Sequence, residues 1–298
     1  MQMQPYEIRE LYQQYKPLLF TLAYQLTGSA LDAEDAVQDV FVKLYDVERA
    51  YITQPKAYLC KMVTNRCLDL IKSAHRRKEL YFGMWLPEPI LTAVEDPSQY
   101  LVRKDLLSYA VLVLLERLSP WERAVFVLRG ALDLSYATIA KMLNKEEAAC
   151  RKLFSRAKSK VGSPQKESNQ KVPVGEEWMH RFIEGLMKDD INALLPLLAK
   201  DVAVMSDGGG KALAAVNPIN KSDNVARYLL GLMRKFSPSP GGWRFELGTV
   251  NGQPGVIVWE EDEVDAVVLV DAANDVVKTL YIVRNPEKLR YLKGQIVI

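Results

Sequence analysis

The sequence predicts a multidomain protein, with two all-α domains followed by an α+β domain. Three observations predict it. Apolar residues recur at helical spacing across 6–80 and again across 100–160. Proline- and glycine-bearing stretches interrupt that period at 83–99 and 163–175. Beyond residue 243 the period changes, and runs rich in Val, Ile, Trp and Tyr take over. The 298 residues suit two or three domains of about 100–150 residues each. The 49% hydrophobic and 26% charged content is that of a globular chain. The expected segments are 1–82, a linker at 83–99, 100–162, a linker at 163–175, and 176–298.

In the first segment Ile8, Leu11, Tyr12, Tyr15, Leu18, Leu19 and Leu22 share a helix face. Thr27-Gly28-Ser29 breaks that helix. Asp32-Ala33-Glu34-Asp35 opens the next, with acidic groups in the first turn where the helix dipole favours them. That helix carries Ala36, Val37, Val40, Phe41 and Leu44. Pro55 starts a third helix, with Ala57, Leu59, Met62, Val63 and Leu70 apolar. Gly83, Pro87, Pro89 and Pro97 make 83–99 a linker. In 100–162, Ser119-Pro120-Trp121-Glu122 is a capping sequence, with Ser at N-cap, Pro at N1 and Glu at N3.

Residues 135–155 match a helix-turn-helix spacing. Ile139, Ala140 and Leu143 face inward on the first helix, and Cys150 and Leu153 on the second. Asn144 sits at the turn, where a left-handed backbone is needed. Glu146, Glu147, Arg151, Lys152, Ser155 and Arg156 face outward and would reach base edges in a major groove. Arg pairs bidentately with guanine, and Glu accepts from cytosine N4. Lys158 and Lys160 lie further along, at phosphate height. In 176–298, Glu176–Lys188, Ile191–Leu198 and Asp223–Phe236 read as helices. Trp243–Val250, Gly255–Glu260, Val264–Val270 and Val276–Val283 read as strands.

Net charge is +2, but it is unevenly placed. Residues 1–164 carry 23 Lys and Arg against 19 Asp and Glu, while 165–298 carry 16 against 18. The basic residues cluster at Lys72, Arg76, Arg77 and Lys78, and at Arg151, Lys152, Arg156, Lys158 and Lys160, an electrostatic footprint for nucleic acid. Cys60, Cys67 and Cys150 form no CxxC pair and argue against a disulfide framework; Cys150 reads as a buried structural thiol. His75 and His180 are too few for a histidine metal centre or a catalytic triad, so no metal and no cofactor are expected. Apolar runs such as Ala110–Leu115 and Ala266–Val270 fall short of the ~18 residues of a membrane span. The opening MQMQPYEIRE lacks a signal pattern, so a cytoplasmic, membrane-free location is expected.

With those residues in place, Leu26–Asp39 (LTGSALDAEDAVQD) resembles region 2 of bacterial extracytoplasmic-function sigma factors, where it forms the helix that docks on the RNA polymerase clamp. Pro55–Lys78 resembles the part of region 2 that melts and reads the −10 element. Leu118–Lys160 resembles region 4, which reads the −35 element. Trp85-Leu86-Pro87-Glu88-Pro89, Asp207-Gly208-Gly209-Gly210-Lys211 and Asn285-Pro286-Glu287-Lys288-Leu289 resemble motifs of the subgroup with a fused SnoaL-like domain. The resemblance implies a non-enzymatic sigma subunit that binds the polymerase core, through its beta and beta-prime subunits, and promoter DNA. It also implies a cone-shaped α+β fold of the nuclear-transport-factor type at the C-terminus. That extension would tune sigma activity in place of a separate anti-sigma factor.

Carried to single positions, the resemblance puts Asp35, Gln38, Asp39, Val40 and Phe41 at the polymerase contact. Asn65 stands where an amide helps hold a flipped base. Arg66, Lys72, Arg76 and Arg77 would hold phosphates or the unpaired strand, and Asp69 either contacts DNA or orients a neighbouring Arg or Lys. Trp85, followed by Pro87 and Pro89 in the linker, is a candidate anchor. It would dock on the C-terminal domain near Asp207–Lys211 or Asn285–Leu289, or else only cap the preceding helices. Asp207–Lys211 lacks P-loop spacing and reads as a tight turn or interaction loop. Asp207, Asp265 and Asp271 are available carboxylates without an evident acid–base partner, which leaves an enzyme a remote alternative. A cone is nevertheless a natural small-molecule site. The main alternative is a one-component helix-turn-helix regulator, which would not need residues 26–78.

Overall fold

The computed structural model describes residues 4–48, 52–79, 81–92, 108–162, 176–235, 243–273 and 276–293. It divides into two units, Met1–Glu79 with Glu95–Pro164, and Leu80–Val94 with Gln165–Ile298. Residues 80–94 lie between the two helical segments in sequence, yet they group with the second unit.

In the first unit α1 (Pro5–Thr27), α2 (Ala30–Lys43) and α3 (Pro55–Glu79) pack together, with a 3-10 turn at Leu44–Asp46 after α2. The break between α1 and α2 follows from local chemistry. Gly28 takes the left-handed conformation, with φ 72°, and donates its N–H to Tyr24 O at 2.8 Å. Ser29 then caps α2, its hydroxyl accepting from Asp32 N at 3.1 Å. The core is Leu18, Leu19, Leu22 and Leu26 from α1, Ala33, Ala36, Val37, Val40 and Phe41 from α2, and Leu59, Val63, Cys67 and Leu68 from α3. Four further helices are α4 (Tyr109–Leu115), α5 (Pro120–Gly130), α6 (Tyr136–Leu143) and α7 (Glu147–Val161). The capping box of α5 is formed as expected, with Ser119 N donating to Glu122 at 2.9 Å.

The second unit holds a six-stranded sheet in the order β2-β1-β6-β5-β4-β3. The strands are β1 (Leu198–Asp207), β2 (Ile219–Asn220), β3 (Trp243–Val250), β4 (Gln253–Glu260), β5 (Glu263–Ala273) and β6 (Val276–Val283). β1 and β6 run parallel, and the other neighbours are antiparallel. Its helices are α8 (Glu176–Met187), α9 (Ile191–Leu194), α10 (Ser222–Lys235) and α11 (Pro286–Lys293). Trp178, Phe182, Val225 and Leu229 from the helices cover Val204, Val256, Val258 and Leu280 on one sheet face. Ile257, Val267, Leu269 and Tyr281 are buried on the other face, where α11 lies along β5. This is the α+β unit that the sequence predicts after the two helical segments.

One expected helix is corrected. Ile191–Leu198 does not continue as α-helix: α9 stops at Leu194, Leu195–Leu197 is a 3-10 turn containing Pro196, and Leu198 begins β1. The Leu-Leu-Pro-Leu-Leu run has no period, and its proline cannot donate the helical hydrogen bond. Among the described residues no helix is long and apolar enough to cross a membrane.

The three thiols are buried. Burial pushes Cys60 up to about 11 and Cys67 up to about 12, and it also raises Cys150. Since the thiolate is the reactive form, none of the three is expected to react with a thiol reagent at neutral pH in the folded protein. All three should react in denaturant. Rapid native labelling of any one would contradict the packing.

Candidate functional site

Four surfaces gather the residues singled out from the sequence. On α2, Asp35 and Gln38 are exposed. Val40 and Phe41 are not part of that surface. They are 2% and 6% exposed, and the Phe41 ring meets Tyr12 edge-on at 5.0 Å. They hold the helix rather than present it. Three residues overlooked in the sequence complete the exposed face: Leu31, Val42 and Tyr45, at 46%, 66% and 50% exposure. Positions 31, 35, 38, 42 and 45 alternate steps of four and three, so they form one stripe. Apolar side chains on an otherwise polar stripe were the legible signal.

On α3, Asn65, Asp69 and Lys72 are exposed on one face, while Thr64, Cys67 and Leu68 are buried behind them. Arg66 turns to α2, its Nε donating to Asp39 Oδ2 at 2.7 Å. Asp69 accepts from Lys72 at 3.4 Å, both side chains being exposed. The Lys72 ammonium stands 5.3 Å from the Trp121 ring centre, and Lys145 stands 3.9 Å from it. α3 continues through Arg76 and Arg77, whose side chains lie outside the described part.

The helix-turn-helix is α6–α7. Asn144 has φ 51° and ψ 55°, and Ile139, Ala140, Leu143 and Cys150 are buried at the crossing. Glu146, the N-cap of α7, and Glu147, Arg151, Lys152, Ser155, Arg156 and Lys158 are exposed. Arg151 Nη2 donates to Glu147 at 2.5 Å, and its guanidinium lies 4.7 Å from the Tyr136 ring centre, so this side chain is held in place. Lys160 is exposed and its ammonium pairs with Glu122 at 2.7 Å. Burial alone would raise the Glu122 carboxyl. Hydrogen bonds from Lys160 and from Ser119 outweigh it and hold the group below its ordinary value.

The fourth site lies wholly in the second unit. Asp207, at the end of β1, is fully buried. Its Oδ1 accepts from the Tyr81 hydroxyl at 2.5 Å and Gly209 N at 3.0 Å. Its Oδ2 accepts from Leu86 N at 2.8 Å and Lys288 Nζ at 2.6 Å. Lys288, on α11, also donates to Leu86 O at 2.5 Å, and its ammonium sits 3.4 Å from the Trp85 ring centre. Asn285 donates to the Tyr81 hydroxyl at 2.7 Å. Burial, and then its bond to Asp207, push the Tyr81 hydroxyl well above its ordinary value. Leu86, Pro87, Glu88 and Pro89 are buried. Leu91 bridges to Val250.

The glycines explain why the loop has this composition. A side chain on Gly208 would strike the Ala212 carbonyl, and one on Gly209, with φ 60°, would strike Asn285. The Gly209 amide is taken by Asp207 itself. Pro286 opens α11, and Leu289 is buried behind Lys288. Tyr81 went unnoticed in the sequence because nothing local distinguishes it; its partners are 126 and 204 residues away.

The chain matches the family models Sigma-70 region 2 over residues 11–77 and Sigma-70, region 4 over residues 108–161. It is 37% identical over 240 residues to the ECF RNA polymerase sigma factor SigJ of Mycobacterium tuberculosis, a match covering 80% of this chain and 76% of the relative. It is 25% identical to the probable ECF RNA polymerase sigma factor SigI of the same species, over 95% and 94% of the two chains. The crystal structure of Mycobacterium tuberculosis SigJ superposes with a TM-score of 0.76 at 31% identity, covering 93% of this chain and 96% of that one. The chain therefore belongs to the extracytoplasmic-function RNA polymerase sigma factors, which direct core polymerase to promoters and initiate transcription.

Proposed function

We propose that this sigma factor divides its work among the four surfaces and that its second unit modulates the outcome, without a separate anti-sigma factor and without catalysis. The α2 stripe, Leu31, Asp35, Gln38, Val42 and Tyr45, faces the beta and beta-prime parts of the core. An apolar patch interrupted by acid and amide suits a basic helical partner. Asn65 receives a base flipped from the −10 region, with Lys72 and the positive end of α3 on the backbone. The exposed N-terminal part of α7 reads the −35 duplex, with Arg151 and the Glu146–Glu147 pair at base edges and Lys152, Arg156 and Lys158 at phosphates. The protein acts in the cytoplasm, where promoter and core are found.

One observation carries the modulation. Residues 81–92 join the two promoter-reading segments in sequence, yet Asp207 and Lys288 bond them into the C-terminal unit. A change in that unit is thereby a change in the tether between the −10 and −35 readers.

The test is run-off transcription with bacterial core polymerase on promoter fragments selected from genomic DNA, using the full chain and its variants. Arg151→Ala is expected to cost about 1–3 kcal/mol in −35 binding and to relax specificity there. Lys152→Ala should weaken all sequences alike and lower the salt slope by about one. Asn65→Ala should leave duplex −35 binding intact and block opening. If the folded protein binds DNA but never initiates with core polymerase, the one-component regulator takes its place.

A further inference from the structure

β3 is an edge strand of the sheet. Residues 90–92 lie along the end of its outer side. Leu91 bridges antiparallel to Val250, Thr92 N donates to Thr249 O at 2.9 Å, and Asn251 N donates to Ile90 O at 2.9 Å. The Thr249 carbonyl therefore points outward. Backbone groups alternate along a strand, so Leu247 and Phe245 turn their N–H and C=O outward too. Among the described residues nothing pairs with those groups. An open edge of this kind is a template for another strand. Beside it stands a fixed charge pair. Arg244 and Glu246 share one face of β3, with side chains 60% and 42% exposed and Nη1 to Oε2 at 2.9 Å. Glu246 Oε2 also accepts from Trp259 Nε1 at 2.9 Å, and the Arg244 guanidinium lies 4.6 Å from the Trp259 ring centre. Both side chains are thus held at the edge, and ordering them on association costs less.

We propose that the open part of β3 pairs with β3 of a second copy of this chain. Two identical edges related by a two-fold axis run antiparallel. Outward residues must face outward residues, so the axis passes through a single residue. Centred on Arg244 or on Glu246, the pairing sets that charge against its own like. Centred on Leu247, it puts Phe245 opposite Thr249, whose carbonyl Thr92 already takes. Centred on Phe245, it meets neither obstacle. The Phe245 N–H and C=O then exchange bonds with Phe245 of the partner subunit, and Arg244 faces Glu246 of the partner subunit on both sides of the axis. Those flanking positions are non-hydrogen-bonded pairs, where Cα atoms come to about 4.5 Å and side chains meet. One positive and one negative charge placed symmetrically about Phe245 match their own copy, and an unrelated edge leaves them unmatched. A single short edge covers little area, so the dimer is weak and concentration-dependent. The pairing does not depend on the promoter-reading roles proposed above.

The experiment is sedimentation equilibrium on the full chain across the micromolar to millimolar range. A reversible monomer–dimer equilibrium is expected. Arg244→Glu sets acid against acid across the axis, and Glu246→Arg sets base against base. Each variant alone should therefore dimerise about tenfold more weakly than the wild type. Mixed, the two variants restore both opposite-charge pairs, and their heterodimer should be about tenfold tighter than either homodimer. Mixing would not repair a folding defect. Should Glu246→Arg fail to fold once Trp259 loses its acceptor, Arg244→Glu decides alone. Hydrogen exchange at the Phe245 amide should slow several-fold as the dimer forms. A chain that stays monomeric throughout, a dimer undiminished in Arg244→Glu, or folded variants that associate no better mixed than apart overturns the pairing. None of these readouts depends on transcription, so their failure leaves the promoter-reading variants to judge the sigma mechanism separately.

Discussion

Replacing Asp207 by Ala is expected to destabilise the second unit by about 3–5 kcal/mol, the cost of breaking a buried ion pair by removing one partner. The carboxylate is fully buried and accepts four hydrogen bonds, from Tyr81, Gly209, Leu86 and Lys288. Its removal leaves the Lys288 ammonium, only 4% exposed, with the Leu86 carbonyl and the Trp85 and Tyr81 rings as its remaining contacts among those described above. At about 2–4 °C per kcal/mol for a unit of this size, the thermal midpoint should fall by roughly 6–20 °C. Lys288→Met should cost less, because Asp207 keeps three donors and the thioether chain fills the same space. Residues 81–92 should also become more sensitive to protease in Asp207→Ala under native conditions, since the Leu86 N–H and the Tyr81 hydroxyl both lose their acceptor. Denaturant titration together with limited proteolysis checks both effects. A cost below about 1 kcal/mol would mean that the linker is held by its apolar residues and its bonds to Thr249 and Asn251.

Arg123→Ala carries the second large effect, in the first unit, again about 3–5 kcal/mol. Arg123 sits on α5 with its side chain 4% exposed. Its Nε donates to Gln25 O at 2.7 Å and its Nη1 to Glu116 Oε1 at 2.6 Å. It therefore joins the end of α1 to α5, which packs against the helix-turn-helix of α6 and α7. The Gln25 carbonyl lies in the last turn of α1, where the helix dipole concentrates negative charge, so a cation there is favoured. Gly28 makes room: a Cβ on it would lie 2.6 Å from Glu116 Oε1. Arg123→Lys should recover only part of the loss, since one ammonium cannot reproduce a forked guanidinium. Gly28→Ala should be destabilising for two reasons, its φ of 72° and the approach of Glu116. Urea midpoints of the three variants give the order, and an Arg123→Ala midpoint equal to that of the wild type would rule out the clasp.

Helix ends and turns were legible from short stretches of sequence. Ser119, Ser29 and Gly28 set helix ends because a cap or a left-handed turn is decided by one or two residues. Asn144 placed the helix-turn-helix turn for the same reason. Trp243–Val250 and Val276–Val283 were legible as strands to the residue, since β-branched and aromatic runs bounded by polar residues leave little alternative. β1 was not legible. Its parallel partner β6 lies far along the chain, its register shifts between Leu198 and Ala203, and Lys200 and Asp201 interrupt any alternation.

The candidate sites divide in the same way. Asp35, Gln38, Asn65 and Arg151 were readable as surface groups on helices. That Val40 and Phe41 belong to the core, that Lys160 pairs with Glu122, and that Leu31, Val42 and Tyr45 line up beside Asp35 depended on which face of each helix packs. Only the tertiary structure decided that residues 81–92 are held by Asp207 and Lys288, and that Arg123 and Arg284 are buried among partners from 7 to 98 residues away. The physical reason is that propensity and capping act over one turn of chain. The pairing of buried charges and the choice of buried face depend on which distant segments exclude water together.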